Sequence, residues 1–363
     1  MKSDEMISLR EKKVISVVIP AYNAEKFIQS AVKSCFCQTY RPLEVVVVND
    51  GSTDSTASIV GDLSCLCSDD LLELRLVNVG ENKGAGNALS VGFSNAKGDY
   101  VCWLSADDMF VDKMKIQRQV DYMSRKGAAW SYFRDYYRGA AYSDSSLIKT
   151  SYLPRLRILD PLFIHDSEMR LMIFLFKVPI NGSSVMISRD CVEKHGQFDP
   201  TTKNVDSDGD LWMRYSALNA KLAILNGAPL FNKEHPLQTS KKKETMLYGC
   251  QLTRMRMLLA LETKGILAKL IKKMTPLFPI VLRYKYHLGM PFVSEFIFDY
   301  ILDHEKEFNY LLVKYARKSI NKVRNHDNYH AIDKEEFQKN LGAFMQSYTF
   351  ANFMTSFLKK NDM

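Results

Sequence analysis

The chain has 363 residues, 46% hydrophobic and 25% charged, which argues against disorder, collagen and coiled coil and suits two domains, or one with an extension. No run reaches the roughly 18–20 apolar residues of a membrane span, and the start MKSDEMISLREKK lacks the apolar core of a secretory signal. The net charge of +8 is uneven: residues 241–363 hold 21 Lys and Arg against 12 Asp and Glu, leaving 28 and 29 for the first 240. Different partners are therefore expected for the two stretches.

In chain order, Val14–Ile19 is a β-branched run stopped by Pro20, which predicts a buried parallel strand. Helical spacing follows at Phe27, Ile28, Ala31, Val32, Cys35 and Phe36. Val45–Val48 predicts a second buried strand, with NDGSTDST after it as a turn and helix start. Leu74–Val77 predicts a third strand, residues 84–96 a helix, and Tyr100–Leu104 a fourth strand ending in SADD. Strands alternating with helices of about a dozen residues imply right-handed crossovers and a mostly parallel α/β sheet. KMKIQRQVDYM reads as a helix and AAWSYF as a strand, whereas residues 139–180 read as loops around the apolar patch MRLMIFLF. Ser183–Ile187 restores regularity, followed by helical CVEKHG, the loop FDPTTKNVDSDGD and the amphipathic helix LWMRYSALNA. Beyond residue 241 the pattern is helical, dividing the chain into 1–240 and a basic helical region, 241–363.

Ligands of open α/β sheets gather at the carboxyl ends of the strands. Pro20–Asn23, Asn49–Thr53 and Ser105–Asp108 all fall there. Adjacent carboxylates such as Asp107 and Asp108 need a cation or donors; the pair reads either as a metal site on a diphosphate or as a cap for the next helix. Asp50 could equally be a turn or cap residue. Among Asp206, Asp208 and Asp210, position 210 suits a dipole partner and cap, leaving Asp208 freer to act as a base. The seven cysteines (Cys35, Cys37, Cys65, Cys67, Cys102, Cys191 and Cys250) lack C-x-x-C spacing and read as reduced thiols in a reducing compartment, without a disulfide framework.

The segments ISVVIPAYNAEKFIQSAVKSCFCQTYRPLEVVVVNDGSTDST, NKGAGNALSVGFSNAKGDYVCWLSADD, SSVMISRDCVEKHGQFDP and DSDGDLWMRYSA resemble the inverting nucleotide-sugar glycosyltransferases of family 2 with the GT-A fold. The resemblance covers residues 14–240 and implies a Rossmann-like, nucleotide-sugar-binding sheet flanked by helices. It implies that Pro20, Ala21, Tyr22, Asn23 and Asp50 hold the nucleoside, with UDP as the default. Asp107 would be the final aspartate of the D-x-D motif Ser105-Ala106-Asp107, binding Mn²⁺ or Mg²⁺. Asp208 would be the general base, Asn181–Ser184 the acceptor side, and His235, in an H-P element, a neighbour of the diphosphate and the metal. Three departures stand out: Ser105 replaces the first aspartate, Ser207 the usual glutamate, and Ala88-Leu89-Ser90 the family's A-R-N, with Lys83 nearby to supply the lost charge.

The resemblance thus implies an enzyme moving a sugar from a nucleotide sugar to a hydroxyl of a glycan, lipid-linked or protein acceptor, in polysaccharide, glycolipid or glycoprotein synthesis. A non-catalytic sugar-nucleotide-binding or scaffolding protein is the alternative, supported by Ser105 and Leu89. A dehydrogenase would carry G-x-G-x-x-G where PAYN stands, and no motif favours nucleic acid. Residues 264–286, rich in Lys and aromatics, could lie on an anionic membrane or pack as a helical subdomain with solvated lysines. A cytoplasmic location, peripheral at the inner face of the membrane, is the corresponding expectation.

Overall fold

Seven valines and isoleucines (Val17, Val18, Ile19 and Val45–Val48) have no exposed surface. Side chains covered on both sheet faces in this way are what a parallel strand between two helical layers requires. The computed structural model describes residues 12–65, 70–142, 148–151, 160–176, 180–202, 206–236, 238, 241–277, 290–330 and 332–359. Strands β1 (Ile15–Ala21), β2 (Leu43–Asn49), β3 (Leu72–Asn78) and β4 (Tyr100–Trp103) alternate with helices α1 (Ile28–Phe36), α2 (Thr56–Ser64) and α3 (Ala85–Asn95). All four strands run parallel, in the order β4-β1-β2-β3. They are followed by β5 (Asp108–Phe110), α4 (Lys115–Lys126), β6 (Trp130–Phe133), β7 (Asp135–Gly139), β8 (Ile148–Ser151), β9 (Val185–Ser188), β10 (Leu222–Leu225) and β11 (Leu230–Lys233).

The larger sheet has the order β10-β6-β9-β4-β1-β2-β3, with β9 antiparallel to both of its neighbours. A smaller sheet, β5-β11-β7-β8, sets Asn232 of β11 opposite Asp108 of β5 in antiparallel register. That register carries the residues after Lys233 alongside those before Asp108, a placement that matters for the site.

The chain forms two compact units: Met1–His165, Pro179–Asn204 and Ala220–Gln238 in one, and Asp166–Val178, Val205–Asn219 and Thr239–Met363 in the other. The first holds both sheets. The second is helical in its described residues, and it takes two segments from ahead of residue 241. One is a helix where loops were expected: MRLMIFLF lies in Ser167–Phe176, which is buried at every residue through Leu175. A helix covered on all sides has no polar stripe, so no 3.6-residue period marks it. The other helix, Ser207–Ala217, begins inside the expected loop; residues 203–205 lie outside the described residues.

In this second unit, Leu267–Met274 buries Leu267, Leu270, Ile271 and Met274 completely. Its lysines are met by carboxylates: Lys269 by Glu168 at 2.9 Å, Lys272 by Glu307 at 3.1 Å, and Lys273 by Asp166 and Glu168 at 2.8 and 2.7 Å. Over these residues the stretch turns its apolar side to protein, as in the packed-subdomain reading of 264–286, with its lysines paired and not merely solvated; 278–286 lie outside the described residues. No helix among the described residues is long and apolar enough to cross a membrane.

Candidate active site

Three strand-end loops are tied to one another by their own polar groups. After β1, Asn23 adopts a left-handed conformation (φ 48°), donates its N–H to Ser52 Oγ at 3.0 Å and accepts the Thr53 N–H at 2.9 Å. Tyr22 stands half exposed beside it. After β2, Asp50 is buried, and its two carboxylate oxygens accept the N–H groups of Lys83 (3.0 Å) and Gly84 (2.8 Å). Gly51 makes this approach possible: its φ is 73°, and a Cβ there would come within 2.7 Å of the Asn82 backbone. Asp50 therefore anchors the start of α3. The Lys83 ammonium pairs with Glu81 at 3.1 Å, while Leu89, at the arginine position of A-R-N, is buried in the core.

The two carboxylates at the end of β4 part company. Asp108 points inward, 1% exposed, accepting from Ser183 Oγ at 2.6 Å and Asn232 Nδ2 at 2.8 Å. Burial, and then the neighbouring Asp107 charge, pushes its carboxyl up to about 8. It is no helix cap: α4 starts at Lys115, and Asp112 Oδ1 accepts the Met114 N–H at 2.8 Å instead. Asp107 meets His235, with 2.9 Å between Asp107 Oδ2 and His235 Nε2 across 128 residues of chain, as the β5–β11 register requires. His235 stacks on the Phe27 ring at 4.6 Å, with Lys233 Nζ 4.8 Å from the same ring centroid. Ser105, behind them, donates its N–H to Ser183 Oγ at 3.1 Å, and Ala106 packs partly buried on the core.

Whether this pair suits a divalent ion can be judged from its atoms. Adjacent ligands of an octahedral ion at about 2.1 Å lie about 3 Å apart, close to the 2.9 Å between Asp107 Oδ2 and His235 Nε2. A carboxylate with an imidazole is a donor set for Mn²⁺ or Mg²⁺ supplemented by substrate oxygens. The buried His235 Nδ1 has no hydrogen-bond partner among the described residues. No cluster of three His, Cys, Asp or Glu exists among them, so the described residues bring this pair and no third such ligand to it. The residues fit on those terms.

Asn181–Ser184 form a tight turn: Asn181 Oδ1 accepts the Ser183 N–H at 3.0 Å, and Ser184 Oγ donates to the Asn181 carbonyl at 2.6 Å. Ser183 and Ser184 are buried, so the turn supports Asp108 and Ser105 with side chains already engaged.

In the second unit the three alternating aspartates differ sharply. Asp206, at the N-cap position of the helix from Ser207 with φ 49°, accepts from Thr253 Oγ1 and Arg254 Nη1, both at 2.5 Å. Asp210 bonds to Arg214 Nε at 2.8 Å and to Arg256. It is thus a paired internal carboxylate and not the cap expected for it. Asp208, half buried, receives the Gly209 N–H at 2.9 Å and no side-chain donor among the described residues. Its carboxyl is pushed up to about 7, by burial first and the Asp206 charge second, against a smaller pull from the Gly209 N–H and Arg254. A carboxylate of that basicity can take a proton near neutral pH. Arg254, Arg256 and Asn232 were not singled out in the sequence, and Ser183 was read as part of the acceptor side and not as a partner of Asp108; no short-range pattern marks partners 46–124 residues away.

Strand-end loops on a mostly parallel sheet, with a carboxylate–histidine pair beside them, define an open-sheet α/β protein, the class whose ligands gather at the strands' carboxyl ends. Residues 16–178 match the family Glycosyl transferase family 2. That match covers a little under half of the chain, and the fold is that of the GT-A glycosyltransferases. An uncharacterised glycosyltransferase of Rickettsia typhi is 31% identical over 208 residues, 56% of this chain and 58% of that protein. The chain therefore spans little more than half the length of this relative. Among solved structures, residues 1–349 of Staphylococcus aureus TarS in complex with UDP-GlcNAc align over 90% of this chain and 92% of that one, with a TM-score of 0.55 and 16% identity. The mannosyltransferase PcManGT of Pyrobaculum calidifontis, in complex with GDP-Man and Mn²⁺, aligns over 92% and 86%, with a TM-score of 0.51 and 17% identity.

Proposed function

We propose that the protein is an inverting glycosyltransferase that moves a sugar from a nucleotide sugar, UDP-linked by default, to the hydroxyl of a glycan, lipid-linked or protein acceptor. The observation that carries this reading is the Asp107–His235 contact at the mouth of the strand-end loops. The family match over residues 16–178 supports the activity, and the nucleotide sugars in the complexes of TarS and PcManGT support the donor class.

The Mn²⁺ reported with PcManGT supports a divalent ion here, held by Asp107 and His235. Bound there, it would neutralise charge on the departing diphosphate. The loops at Pro20–Asn23 and Asp50 give the nucleoside its cradle, Tyr22 offering an exposed ring and Asn23 a fixed turn. Asp208 takes the proton from the attacking hydroxyl, which reaches the anomeric carbon opposite the diphosphate and inverts it. Ser105 contributes a hydroxyl two residues before Asp107 in place of a second carboxylate.

The test is a thermal-shift screen of nucleotide sugars with and without Mn²⁺. A donor at 100 times its Kd adds about 2.7 kcal/mol of apparent stability. We expect one sugar nucleotide to stabilise the protein in a Mn²⁺-dependent manner and purified protein to transfer its sugar, with EDTA abolishing the transfer. Stabilisation without transfer or donor hydrolysis would favour the non-catalytic binding protein instead.

A further inference from the structure

The surplus of positive charge lies in residues 241–363, and much of it is neutralised internally. The lysines at 269, 272 and 273 are paired with carboxylates, and Arg324 bonds to Glu295 and Asp299, both at 2.9 Å. Three lysines without a carboxylate partner among the described residues, Lys306, Lys314 and Lys318, line one cleft of about 730 Å³. Phe308 and Tyr310 share its wall, and Arg317 beside them is bonded to Glu305. The cleft runs along the start of the helix Tyr310–Arg324, whose first two residues, Tyr310 and Leu311, are 73% and 76% exposed.

Folding stability gives no account of this arrangement. Lys306 lies ahead of the helix and Lys314 just past its first turn, its Nζ 5.7 Å from the Tyr310 ring centroid, and neither gains from the positive end of the helix dipole. Asn309 already caps that turn, accepting the Leu312 N–H at 2.9 Å. A leucine and a tyrosine side by side in water forgo burial that either could gain against protein or lipid.

We propose that this cleft and its apolar rim dock on an anionic membrane surface. The phosphodiester of an acidic phospholipid sits among Lys306, Lys314 and Lys318, and Tyr310 and Leu311 enter the headgroup–acyl boundary. Charge complementarity calls for a phosphate. The exposed leucine selects lipid over a soluble polyanion, because only lipid gives it an apolar surrounding. The inference stands independently of the proposed transfer reaction.

Co-sedimentation of the full chain with phosphatidylcholine vesicles, with and without phosphatidylglycerol, tests it. We expect retention on the anionic vesicles alone, weakening as salt rises. Each lysine near such a surface is worth about fivefold in partition, so Lys314→Glu with Lys318→Glu should lower binding at least ~20-fold. Leu311→Ser should weaken binding while leaving its salt dependence unchanged. All three positions are exposed, and an unchanged melting temperature verifies that the variants fold. Equal binding to both vesicle types, or anionic binding that survives the double charge reversal, would overturn the proposal. So would retention by a soluble poly(glycerol phosphate) together with absence from the vesicle pellets, which would assign the cleft to a polymer.

Discussion

Asp208 stands between two aspartates that arginines have claimed. Asp206 is held by Arg254 and Thr253, and Asp210 by Arg214 and Arg256, whereas among the described residues Asp208 receives a backbone N–H and no side-chain donor. A carboxylate whose negative charge is least compensated is the one most ready to accept a proton. Asp208→Asn, nearly isosteric, is therefore expected to reduce transfer by at least ~100-fold, the lower range for a lost general base. The pH profile has a definite sign. With the carboxyl raised to about 7, kcat/KM of the wild type should fall about tenfold per pH unit below that value and level off above it; a profile flat from pH 5 to 8 would remove Asp208 from the role. Stability moves the opposite way. A carboxyl whose folded pKa exceeds its unfolded value binds its proton more tightly in the fold, so folded stability is lost as pH rises from about 4 to about 7. Asp208→Asn should accordingly raise the melting temperature at pH 8 and change it little at pH 4, a trade of stability for activity at the reacting position.

At the scale of elements, helix starts and strand pairings hold these groups by long-range partners. Arg254→Met would leave the Asp206 carboxylate buried beside Asp208 with no cation, at a cost of about 3–5 kcal/mol as for other broken buried pairs. Adding Asp206→Asn should recover part of that loss in denaturant unfolding. Asn232→Ala removes one donor from Asp108 and joins β5 to β11 less firmly; about 1–3 kcal/mol of destabilisation is expected from the buried acceptor left short. Legibility in the sequence followed the same division. The four parallel strands could be read because Val14–Ile19, Val45–Val48 and their counterparts are short apolar runs bounded by turn residues, and the polar loops come directly after each run. Asp50, Asp107 and Asp208 were found by their position after strands or ahead of a helix, and His235 by resemblance. The helix Ser167–Phe176 was missed because burial on every side erases its period. The internal use of Asp108 and Asp210 was missed because Asn232 and Arg256 lie 124 and 46 residues away. A polar residue's neighbours in space, which decide whether it is structural or reactive, are set by packing and leave no trace in spacing.

At the scale of the whole molecule, the candidate residues are divided between two compact units. Asp107 and His235 belong to the one that contains both sheets, and Asp208 belongs to the helical one. If Asp107 and His235 bind donor and metal while Asp208 acts as the base, variants should sort by residue in two independent measurements. Asp107→Ala and His235→Ala are expected to lose the Mn²⁺-dependent part of the donor's thermal shift, because each removes one of the two ligands proposed for the ion. They should lose transfer with it. Asp208→Asn should keep the full shift, since the proton it would accept belongs to the acceptor, yet lose transfer as steeply. The comparison uses each variant's own melting temperature without ligand as its baseline, so a general loss of stability cannot imitate loss of the site. If Asp208→Asn abolished the donor shift as completely as His235→Ala, donor binding and proton transfer could not be separate tasks, and Asp208 would have to be reassigned to holding the donor.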